Sequence, residues 1–272
     1  MALVWLNGRL VDDVDARVAY NDHGLTVGDG VFETIKTYAG VPFALTRHLA
    51  RLEASASGLG LAVPKGIRDA VAEVCAANSV GDAAIRITLT GGPGPLGSGR
   101  GEAGPTVIVA TAALTAWPES VEVATVPWPR NERGATAGLK TTSYAENVVA
   151  LARARAAGAS EAIFANTTGA LCEGTGTNVF LAVGGELVTP PLSAGCLAGV
   201  TRALLLELGV AREADVPLSA LGEAEEAFLA STTREVQPIH AVDSHSLPAC
   251  PGPLTKAAAE AFATLRSTTP DP

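Results

Sequence analysis

The sequence predicts an α+β protein of two domains, and three observations carry this prediction. Stretches in which apolar and polar residues alternate, as in β-strands, are interspersed with stretches of helical spacing. The pattern stops around residues 114–119 and then begins again. The 272 residues also suffice for two modest domains, each with its own core. We therefore predict a small first domain at residues 1–115, a linker at 116–120 and a larger second domain at 121–272.

The first domain begins with a predicted hairpin. Two short apolar runs, residues 3–6 and 9–11, flank the dipeptide Asn7-Gly8, which suits a type I′ turn. Residues 31–38 then alternate with a period of two, which predicts a strand. Later elements of this domain are predicted as helices at 47–59 and 67–75 and as strands at 84–90 and 105–110. Between these last strands, residues 91–104 are rich in Gly and Pro and predict a mobile loop.

The second domain shows a longer alternation of both element types. Predicted strands lie at 121–126, 161–165, 177–183, 186–189, 227–230 and 236–242, and predicted helices lie at 145–157, near 199, at 218–224 and at 254–265. A hydroxyl-rich turn, residues 231–233, separates the last two strands. The chain contains no internal repeat.

Composition and charge exclude several classes of function. The chain carries 19 Lys and Arg against 28 Asp and Glu, which gives a net charge of −9, the wrong sign for binding a nucleic acid backbone. No apolar stretch approaches the roughly 18 residues that a membrane span needs. The first residues lack the basic and apolar regions of a secretory signal, so we expect a cytoplasmic protein.

The cysteines and histidines give little support for a metal site. The four cysteines at 75, 172, 196 and 250 form no C-x-x-C pair, and we interpret them as free thiols. The four histidines are scattered and show no H-x-x-x-H spacing. We expect no metal.

Only four lysines are present, so a chemically active lysine has few candidates. Lys65 and Lys256 stand near predicted helix starts, where a solvated helix face is the better interpretation. Lys140 lies in Gly-Leu-Lys-Thr-Thr-Ser-Tyr, a hydroxyl-rich segment that leads from a loop into a helix. Taken by itself, Lys140 fits a surface lysine slightly better than a catalytic one.

Three further features could bind an anion. The helix that begins at Gly199-Val-Thr-Arg offers free backbone N–H groups and a threonine hydroxyl. The turn Ser231-Thr-Thr offers further N–H groups and hydroxyls. Arg51, on an otherwise apolar helix, could hold a phosphate with two hydrogen bonds. The alternatives are ordinary capping for the first two features, and for Arg51 a snorkelling side chain or a partner among its neighbours Glu53 and Ser55.

Glu173 is an isolated carboxylate among glycines and hydroxyls, just before an apolar strand. It could neutralise a cationic ring nitrogen, or it could cap a turn. No one of these features is specific when taken singly.

Taken together, the motifs resemble a known family. They are, in chain order, Gly-Asp-Gly-Val-Phe-Glu at 28–33, His-Leu-Ala-Arg-Leu at 48–52, Gly-Leu-Lys at 138–140, Cys-Glu-Gly-Thr-Gly-Thr-Asn-Val-Phe at 172–180, Leu-Ala-Gly-Val-Thr-Arg at 197–202 and Phe-Leu-Ala-Ser-Thr-Thr-Arg-Glu-Val-Gln-Pro at 228–238. In order and spacing this set resembles the class IV, or fold-type IV, pyridoxal-phosphate enzymes. That family includes branched-chain aminotransferases, D-amino acid aminotransferases, (R)-amine transaminases and 4-amino-4-deoxychorismate lyases. The resemblance implies a small sandwich-like α/β N-terminal domain, a larger pseudo-barrel C-terminal domain with the cofactor between them, and a homodimer.

The resemblance also implies roles for single residues. Lys140 would form a Schiff base with pyridoxal 5'-phosphate and then move the proton at the substrate Cα. Glu173 matches the acid that keeps the pyridine nitrogen protonated. Leu197 matches the residue on the ring face, and Tyr144 matches a tyrosine on the phenolic oxygen. The residues that match the phosphate site are Arg51, Val200, Thr201, Ser231 and Thr232.

Substrate choice is expected to depend on the first domain, where the predicted strand places Phe32, Thr34 and Lys36 on one face. Arg100 in the loop at residues 91–104 and Thr233 complete the candidate substrate residues. D-amino acid aminotransferases hold the substrate carboxylate with a loop arginine and histidine, and this sequence has Pro95 and Gly97 at about those positions. Lys36 and Arg100 are the candidate replacements.

Our first functional hypothesis is a transaminase that moves the amino group of a D-amino acid, and also of (R)-amines, to a 2-oxo acid. The Ser-Thr-Thr-x-Glu segment at 231–235 resembles that group most closely. The alternatives are a 4-amino-4-deoxychorismate lyase, which Thr34 favours, and a branched-chain aminotransferase, from which Thr34 and Lys36 depart. A protein that only holds the cofactor is disfavoured, because mere binding would not require Lys140 and Glu173 together.

Overall fold

The computed structural model describes residues 2–272, which fall into two compact units. The first unit contains the chain up to Thr115 together with Leu139–Tyr144 and Pro270–Pro272, and the second contains Ala116–Gly138 and Ala145–Thr269. Leu139–Tyr144 and Pro270–Pro272 belong to the first unit, whereas the sequence-based prediction assigned both segments to the second domain. The segment predicted as a linker also belongs to the second unit, where Pro118 accepts a hydrogen bond from Gln237 through its carbonyl oxygen.

The first unit is built on a six-stranded antiparallel sheet with the strand order β2-β1-β6-β5-β3-β4. Its strands are β1 (Leu3–Leu6), β2 (Arg9–Asp12), β3 (Gly30–Tyr38), β4 (Val41–Pro42), β5 (Ala83–Thr90) and β6 (Thr106–Ala113), and its helices are α1 (His23–Thr26), α2 (Leu45–Gly58) and α3 (Ile67–Ala77). The predicted first hairpin is confirmed, because β1 pairs with β2 around Asn7 and Gly8, which both have positive φ angles. Mirror-image turns of this kind match the twist of the strands that they join.

One hydrophobic core holds the first unit together. The buried side chains of β3 and β5, such as Ile35 and Ile85, pack with Leu52 of α2 and Val71 of α3. Both helices show the apolar spacing that the sequence analysis used to predict them. The sheet therefore has a core face covered by helices, whereas the opposite side of β3 carries Phe32, Thr34 and Lys36.

The second unit is built on a nine-stranded mixed sheet. Its strands are β7 (Val121–Thr125), β8 (Glu161–Ala165), β9 (Leu171–Gly174), β10 (Asn178–Val183), β11 (Glu186–Thr189), β12 (Arg212–Glu213), β13 (Ala227–Ser231), β14 (Glu235–Val242) and β15 (His245–Ser246), and its helices are α4 (Ala145–Ala156), α5 (Val200–Glu207), α6 (Ala220–Glu223) and α7 (Pro253–Thr268). The strand order is β12-β11-β10-β13-β14-β7-β8-β9, with β15 paired to β14. The pairs β14·β7, β7·β8 and β11·β12 are parallel, and the others are antiparallel.

The core of the second unit is formed mainly by residues of central strands. Val123, Ile163, Val179, Leu229 and Ile239 are fully buried in one cluster. The sequence analysis did not predict β9, since a run of four residues that contains Glu and Gly carries no clear strand pattern. In the structure β9 pairs with β8, and this pairing places Glu173 on a sheet edge rather than in a free loop.

Within residues 2–272 we looked for membrane-spanning helices and for disulfide bonds. No helix there has both the length and the apolar character needed to cross a membrane. The four cysteines are free thiols, as predicted.

Candidate active site

The backbone of Lys140 is fixed within the first unit, next to the start of β3. Its carbonyl oxygen accepts a hydrogen bond from the Phe32 N–H at 3.0 Å, and its N–H donates to Ser55 Oγ at 3.1 Å. Thr142 continues this pairing by donating its N–H to the Gly30 carbonyl oxygen at 2.8 Å. The segment therefore acts as a short extra strand along β3, which explains why it belongs to the first unit.

The Gly28–Gly30 motif allows this close approach of the two backbones. The carbonyl oxygen of Gly28 accepts hydrogen bonds from the hydroxyls of Thr142 and Ser143, both at 3.0 Å. A Cβ at Gly28 would lie 2.6 Å from Ser143 Oγ, and Gly28 has a φ angle of +69°. A side chain at this position would be strained at this φ angle and would displace the Ser143 hydroxyl from the Gly28 carbonyl oxygen.

Two cations lie over the aromatic ring of Phe32. The Nζ atom of Lys140 lies 4.3 Å from the ring centroid, and the guanidinium carbon of Arg86 lies 3.4 Å from it. The Tyr144 ring meets the same ring edge-on, with a centroid distance of 5.2 Å. The amine of Lys140 and the guanidinium of Arg86 therefore both contact one aromatic ring, the Phe32 platform.

Arg86 was not predicted as a site residue. It lies opposite Thr34 in the β3–β5 pairing, and its Nη1 lies 3.5 Å from Thr34 Oγ1. The sequence signal was an arginine at an alternate position of an otherwise apolar strand. Phe32, Thr34 and Lys36 share one face of β3 as predicted, and Lys36 Nζ lies 4.8 Å from the ring centroid of Tyr38.

Arg51 is held by a buried carboxylate. Its Nε donates to Glu33 Oε1 at 2.7 Å and its Nη2 donates to Glu33 Oε2 at 2.8 Å. His48 Nδ1 lies 2.7 Å from the same Oε2 atom. The sequence analysis considered Glu53 and Ser55 as partners of Arg51, but Glu33 from the neighbouring strand makes this ion pair, and Ser55 instead accepts the Lys140 N–H.

The charge of Glu33 is stabilised despite its burial. Burial raises the pKa of this carboxyl, but the hydrogen bonds and charges of Arg51 and His48 outweigh burial and lower the pKa to about 2. Burial lowers the pKa of His48, against the opposing effect of Glu33. Glu33 is therefore an anion at neutral pH that fixes the direction of the Arg51 guanidinium.

In the second unit, Glu173 is positioned by two groups. Its Oε2 accepts the backbone N–H of Leu197 at 2.8 Å. Its Oε1 lies 3.3 Å from Arg130 Nε without hydrogen-bond geometry, so this contact is an ion pair. Arg130 is itself held by Glu146 and Asn147 of α4, to which its Nη1 donates at 2.6 and 2.8 Å. Arg130 was not predicted, because its role depends on a strand and a helix that are distant in sequence.

Asn178 fixes the loop that leads into α5. Its Nδ2 donates to the Leu197 carbonyl oxygen at 2.9 Å, so the Leu197 backbone is held from both sides. A Cβ at Gly199 would lie 2.0 Å from Asn178 Oδ1, so this position must be glycine while Asn178 keeps its place. Val200 and Thr201 then begin α5 as buried residues with their backbone N–H groups in the first helical turn.

The hydroxyl-rich turn at residues 231–233 connects β13 and β14. Ser231 pairs with Glu235 across the turn, and its Oγ accepts the backbone N–H of Arg234 at 3.2 Å. The turn therefore places Thr232 and Thr233 at its tip. Arg234 holds the turn in place through two contacts. Its guanidinium carbon lies 3.8 Å from the ring centroid of Trp117, and its Nη2 lies 3.6 Å from Glu161 Oε2.

Arg100 lies elsewhere in the first unit. Its Nε and Nη2 donate to the two carboxylate oxygens of Asp29, both at 2.6 Å. Its guanidinium also donates to the carbonyl oxygens of Leu59 and Gly60 at 2.7 and 3.0 Å. This arrangement fastens the loop at residues 91–104 to the end of α2, and the structure does not place Arg100 beside Phe32.

Comparisons with known proteins decide the family. A sequence model described as amino-transferase class IV matches residues 30–242. The chain belongs to the class IV aminotransferases. This class IV aminotransferase is 33% identical to a putative branched-chain-amino-acid aminotransferase of Methanocaldococcus jannaschii, over 97% of the chain and 96% of that relative. It is 30% identical to D-alanine aminotransferase of Bacillus licheniformis, over 93% of both proteins.

The fold is that of the fold-type IV aminotransferases. The branched-chain aminotransferase of Thermoproteus uzoniensis, solved with norvaline, matches with a TM-score of 0.90 and 33% identity, over 97% of this chain and 94% of that one. The cofactor of the family is pyridoxal 5'-phosphate. The chain fits such a cofactor in each unit: an amine beside an aromatic ring and a fixed guanidinium in the first, and an oriented carboxylate and a glycine-bounded helix N-terminus in the second.

Proposed function

We propose that this class IV aminotransferase moves the amino group of an α-amino acid to a 2-oxo acid. The observation that supports it most is that Lys140 and Arg86 both contact the Phe32 ring. The Lys140 amine lies 4.3 Å and the Arg86 guanidinium carbon 3.4 Å from the same ring centroid, so an amine and a cation that suits a carboxylate share one ring. Substrate amine and substrate carboxylate would thus be recognised at one platform.

The proposed roles of the cofactor residues follow from the motifs shared with the family. When bound, pyridoxal 5'-phosphate would supply an electron sink for the electron pair of the Cα–H bond. Lys140 would supply the amine that attaches the cofactor and would carry the proton at the substrate Cα. Glu173 would hold a proton at the ring nitrogen, and Leu197 would contact the ring. The residues that would hold the phosphate are Arg51 of the first unit and Val200, Thr201, Ser231 and Thr232 of the second, and Tyr144 would hold the phenolic oxygen.

Carboxylate recognition distinguishes this proposal from the amine transaminases. Because Arg100 is engaged by Asp29 and two carbonyl oxygens, we propose that Arg86 binds the substrate carboxylate, with Thr34 beside it. Lys36 and Thr233 are proposed to contact the rest of the substrate. Amines without a carboxylate would gain nothing from Arg86, so we expect them to be poor donors.

The first donors to test are branched-chain L-amino acids and D-alanine. The branched-chain relative and the solved structure named above support the former. The D-alanine aminotransferase relative and the hydroxyl-rich turn at 231–233 support the latter. The holoenzyme is mixed with each donor without acceptor, and the released 2-oxo acid is measured together with the absorption spectrum of the protein. One equivalent of 2-oxo acid released from L-leucine or from D-alanine identifies the donor class. If neither donor releases a 2-oxo acid, transamination of these two classes is contradicted.

Arg86→Gln tests the carboxylate assignment, with Arg86→Lys as the charge-retaining control. We expect Arg86→Gln to raise KM for the amino acid at least about 10-fold, since a charge-assisted pair contributes about 1.5–3 kcal/mol. The KM for an (R)-amine without carboxylate should stay within about 2-fold. Equal effects on both substrates would contradict the assignment.

A lyase activity on 4-amino-4-deoxychorismate is the second candidate, supported by Thr34 on the substrate face of β3. It would share the deprotonation at Cα and differ in releasing pyruvate. Pyruvate formed from that substrate without any amino acceptor, detected with lactate dehydrogenase, would support the lyase. Its absence, together with oxo acid release from an amino acid, would leave the transaminase.

A further inference from the structure

A preformed groove lies on the first unit at the β3–β4 turn. It has a volume of about 520 Å³ and is lined by that turn, the first turn of α2, one side of α3 and residues 79–80. A volume of this size is typical of sites for small organic ligands. None of its lining residues was predicted to act on the cofactor or the substrate.

The walls of the groove are held by backbone contacts. Gly40 donates its N–H to the Gly81 carbonyl oxygen at 3.0 Å, and a Cβ at Gly40 would lie 2.7 Å from the Val80 carbonyl oxygen. Val80 donates its N–H to the Cys75 carbonyl oxygen at 3.1 Å. Both walls are therefore fixed to each other without a ligand.

The lining is apolar apart from Arg68 and Ser79. Leu45 and Val71 are buried at its floor, whereas Val41 at its edge is 51% exposed. Among the described residues that line the groove, Arg68 carries the only charge, and its side chain is 51% exposed. An apolar trough with one cation at its end is complementary to an apolar molecule with one anionic group.

Arg68 lies beside the carboxylate of Asp271. Its Nη1 lies 3.8 Å from Asp271 Oδ2, and its Nη2 donates to Thr46 Oγ1 at 2.8 Å. The carboxylate of Asp271 is held more closely by Thr46, whose N–H donates to Oδ1 at 2.8 Å and whose hydroxyl donates to Oδ2 at 2.5 Å. The distant and exposed pair with Asp271 leaves Arg68 able to bind a second carboxylate.

We propose that this groove binds a small monocarboxylate with an unbranched or branched apolar body, with the carboxylate on Arg68 and the body on Val41, Leu45 and Val71. The site is separate from the Phe32 platform, and it does not depend on the proposed function. Its ligand class includes apolar carboxylic and 2-oxo acids.

Cys75 provides a direct readout, because its half-buried side chain lines the groove. The probe is hexanoate, with neutral hexanamide as its matched control. The holoenzyme carries Cys250→Ser to remove the exposed thiol, while Cys172 and Cys196 are buried. Burial raises the pKa of the Cys75 thiol, so alkylation by N-ethylmaleimide is followed at mildly alkaline pH by mass spectrometry of the Cys75 peptide.

We expect saturating hexanoate to slow the alkylation of Cys75 at least about 5-fold, and hexanamide at the same concentration to slow it less than 2-fold. Arg68→Gln should abolish the hexanoate effect, and Arg68→Lys should retain part of it. Because Arg68 is an exposed rim residue, both variants are expected to fold. Because the readout is on Cys75, hexanoate bound at the Phe32 platform would not produce it.

Two results would overturn the proposal. The carboxylate site would be excluded if hexanoate protected Cys75 equally well in Arg68→Gln and in the protein that retains Arg68. It would also be excluded if millimolar hexanoate gave no protection in the protein that retains Arg68. Alkylation that is slow without ligand and accelerates on dilution of the protein would show that a second copy of the chain covers the groove instead.

Discussion

Among single residues, Glu33 illustrates how a buried charge serves the site. It is fully buried between His48 and Arg51, and it makes two hydrogen bonds with the guanidinium of Arg51. Neither partner is near it in sequence. The ion pair therefore sets the direction of Arg51 before any ligand is present, and under the proposed function this would lower the entropic cost of binding a phosphate.

Glu33→Gln removes this anion and with it the buried ion pair to Arg51. We expect the free energy of unfolding of the apoprotein to fall by about 3–5 kcal/mol, because removing one charge of a buried ion pair is strongly destabilising. The affinity for pyridoxal 5'-phosphate should fall at least about 10-fold. Urea denaturation measures the first quantity, and titration of the apoprotein followed by absorbance measures the second.

Glu53→Gln is the matched control, since Glu53 is an exposed carboxylate on the same helix as Arg51. It should change the unfolding free energy by less than about 0.5 kcal/mol. If Glu33→Gln loses stability but keeps its affinity for the cofactor, Glu33 supports the fold and not the phosphate site.

The pH dependence of this ion pair follows from the lowered pKa of Glu33. The folded protein binds a proton on Glu33 only near pH 2, whereas the usual value is 4.5. The stabilisation is therefore complete above pH 4.5 and is lost as the pH falls through about 2. It amounts to about 3 kcal/mol by linkage, and the slope of unfolding free energy against pH in Glu33→Gln should be reduced over this acidic range.

Among the elements, the loop at residues 91–104 departs most from its sequence-based expectation. Its Gly and Pro content predicts mobility, but the structure fastens it at several points. Arg100 is held by Asp29, and the carbonyl oxygen of Pro95 lies 2.9 Å from Nε2 of the buried His23. The hydrogen bond and charge of Arg100 also lower the pKa of Asp29, so the carboxylate remains charged at neutral pH. An ion pair and hydrogen bonds therefore fasten the loop.

Arg100→Gln should therefore release the loop. Leu96 is 71% exposed within it and provides a cleavage site for thermolysin, which cuts before large apolar residues. We expect cleavage before Leu96 to accelerate at least about 10-fold, because proteolysis follows the population of the open form. Cleavage is measured by mass spectrometry of the products.

Arg17→Gln is the control for the loop experiment, since Arg17 is an exposed arginine of the same unit. It changes the net charge by the same amount and should not alter the cleavage rate. An unchanged rate in Arg100→Gln would mean that the contacts of His23 and Asn21 hold the loop by themselves.

At the scale of the whole molecule, each unit has its own hydrophobic core, and the cores are formed by residues that are far apart in sequence. In the second unit the rings of Phe180 and Phe228 are stacked, with a centroid distance of 4.7 Å and an interplanar angle of 8°. Both rings are fully buried on neighbouring strands. This pair joins β10 to β13 in the middle of the nine-stranded sheet.

Phe228→Ala should lower the free energy of unfolding by about 3–5 kcal/mol, since it removes a buried ring and leaves a cavity. Urea denaturation followed by far-UV circular dichroism measures the change. Val183→Ala, at the 39% exposed end of β10, is the control and should cost less than about 1 kcal/mol. A loss below 1 kcal/mol for Phe228→Ala would mean that the sheet closes around the cavity.

Most elements could be predicted from the sequence, because each depends on residues close together in the chain. The first hairpin follows from Asn7-Gly8, and β3 and α3 follow from their periods of two and 3.6. β9 was missed because its four residues form a strand only through pairing with β8. The return of Leu139–Tyr144 to the first unit was missed for the same reason, since its hydrogen bonds go to β3 and to Ser55.

The candidate site divides in the same way. By itself the sequence determined the family, through short motifs that keep their order, and with it the cofactor and the candidate residues Lys140, Glu173 and Arg51. Only the tertiary structure decided what contacts them: Glu33 pairs with Arg51, Arg130 and Leu197 contact Glu173, and the Phe32 ring that Lys140 contacts also meets Arg86. A motif records residue types along the chain, whereas ion pairs and ring contacts depend on distances between strands that only folding brings together.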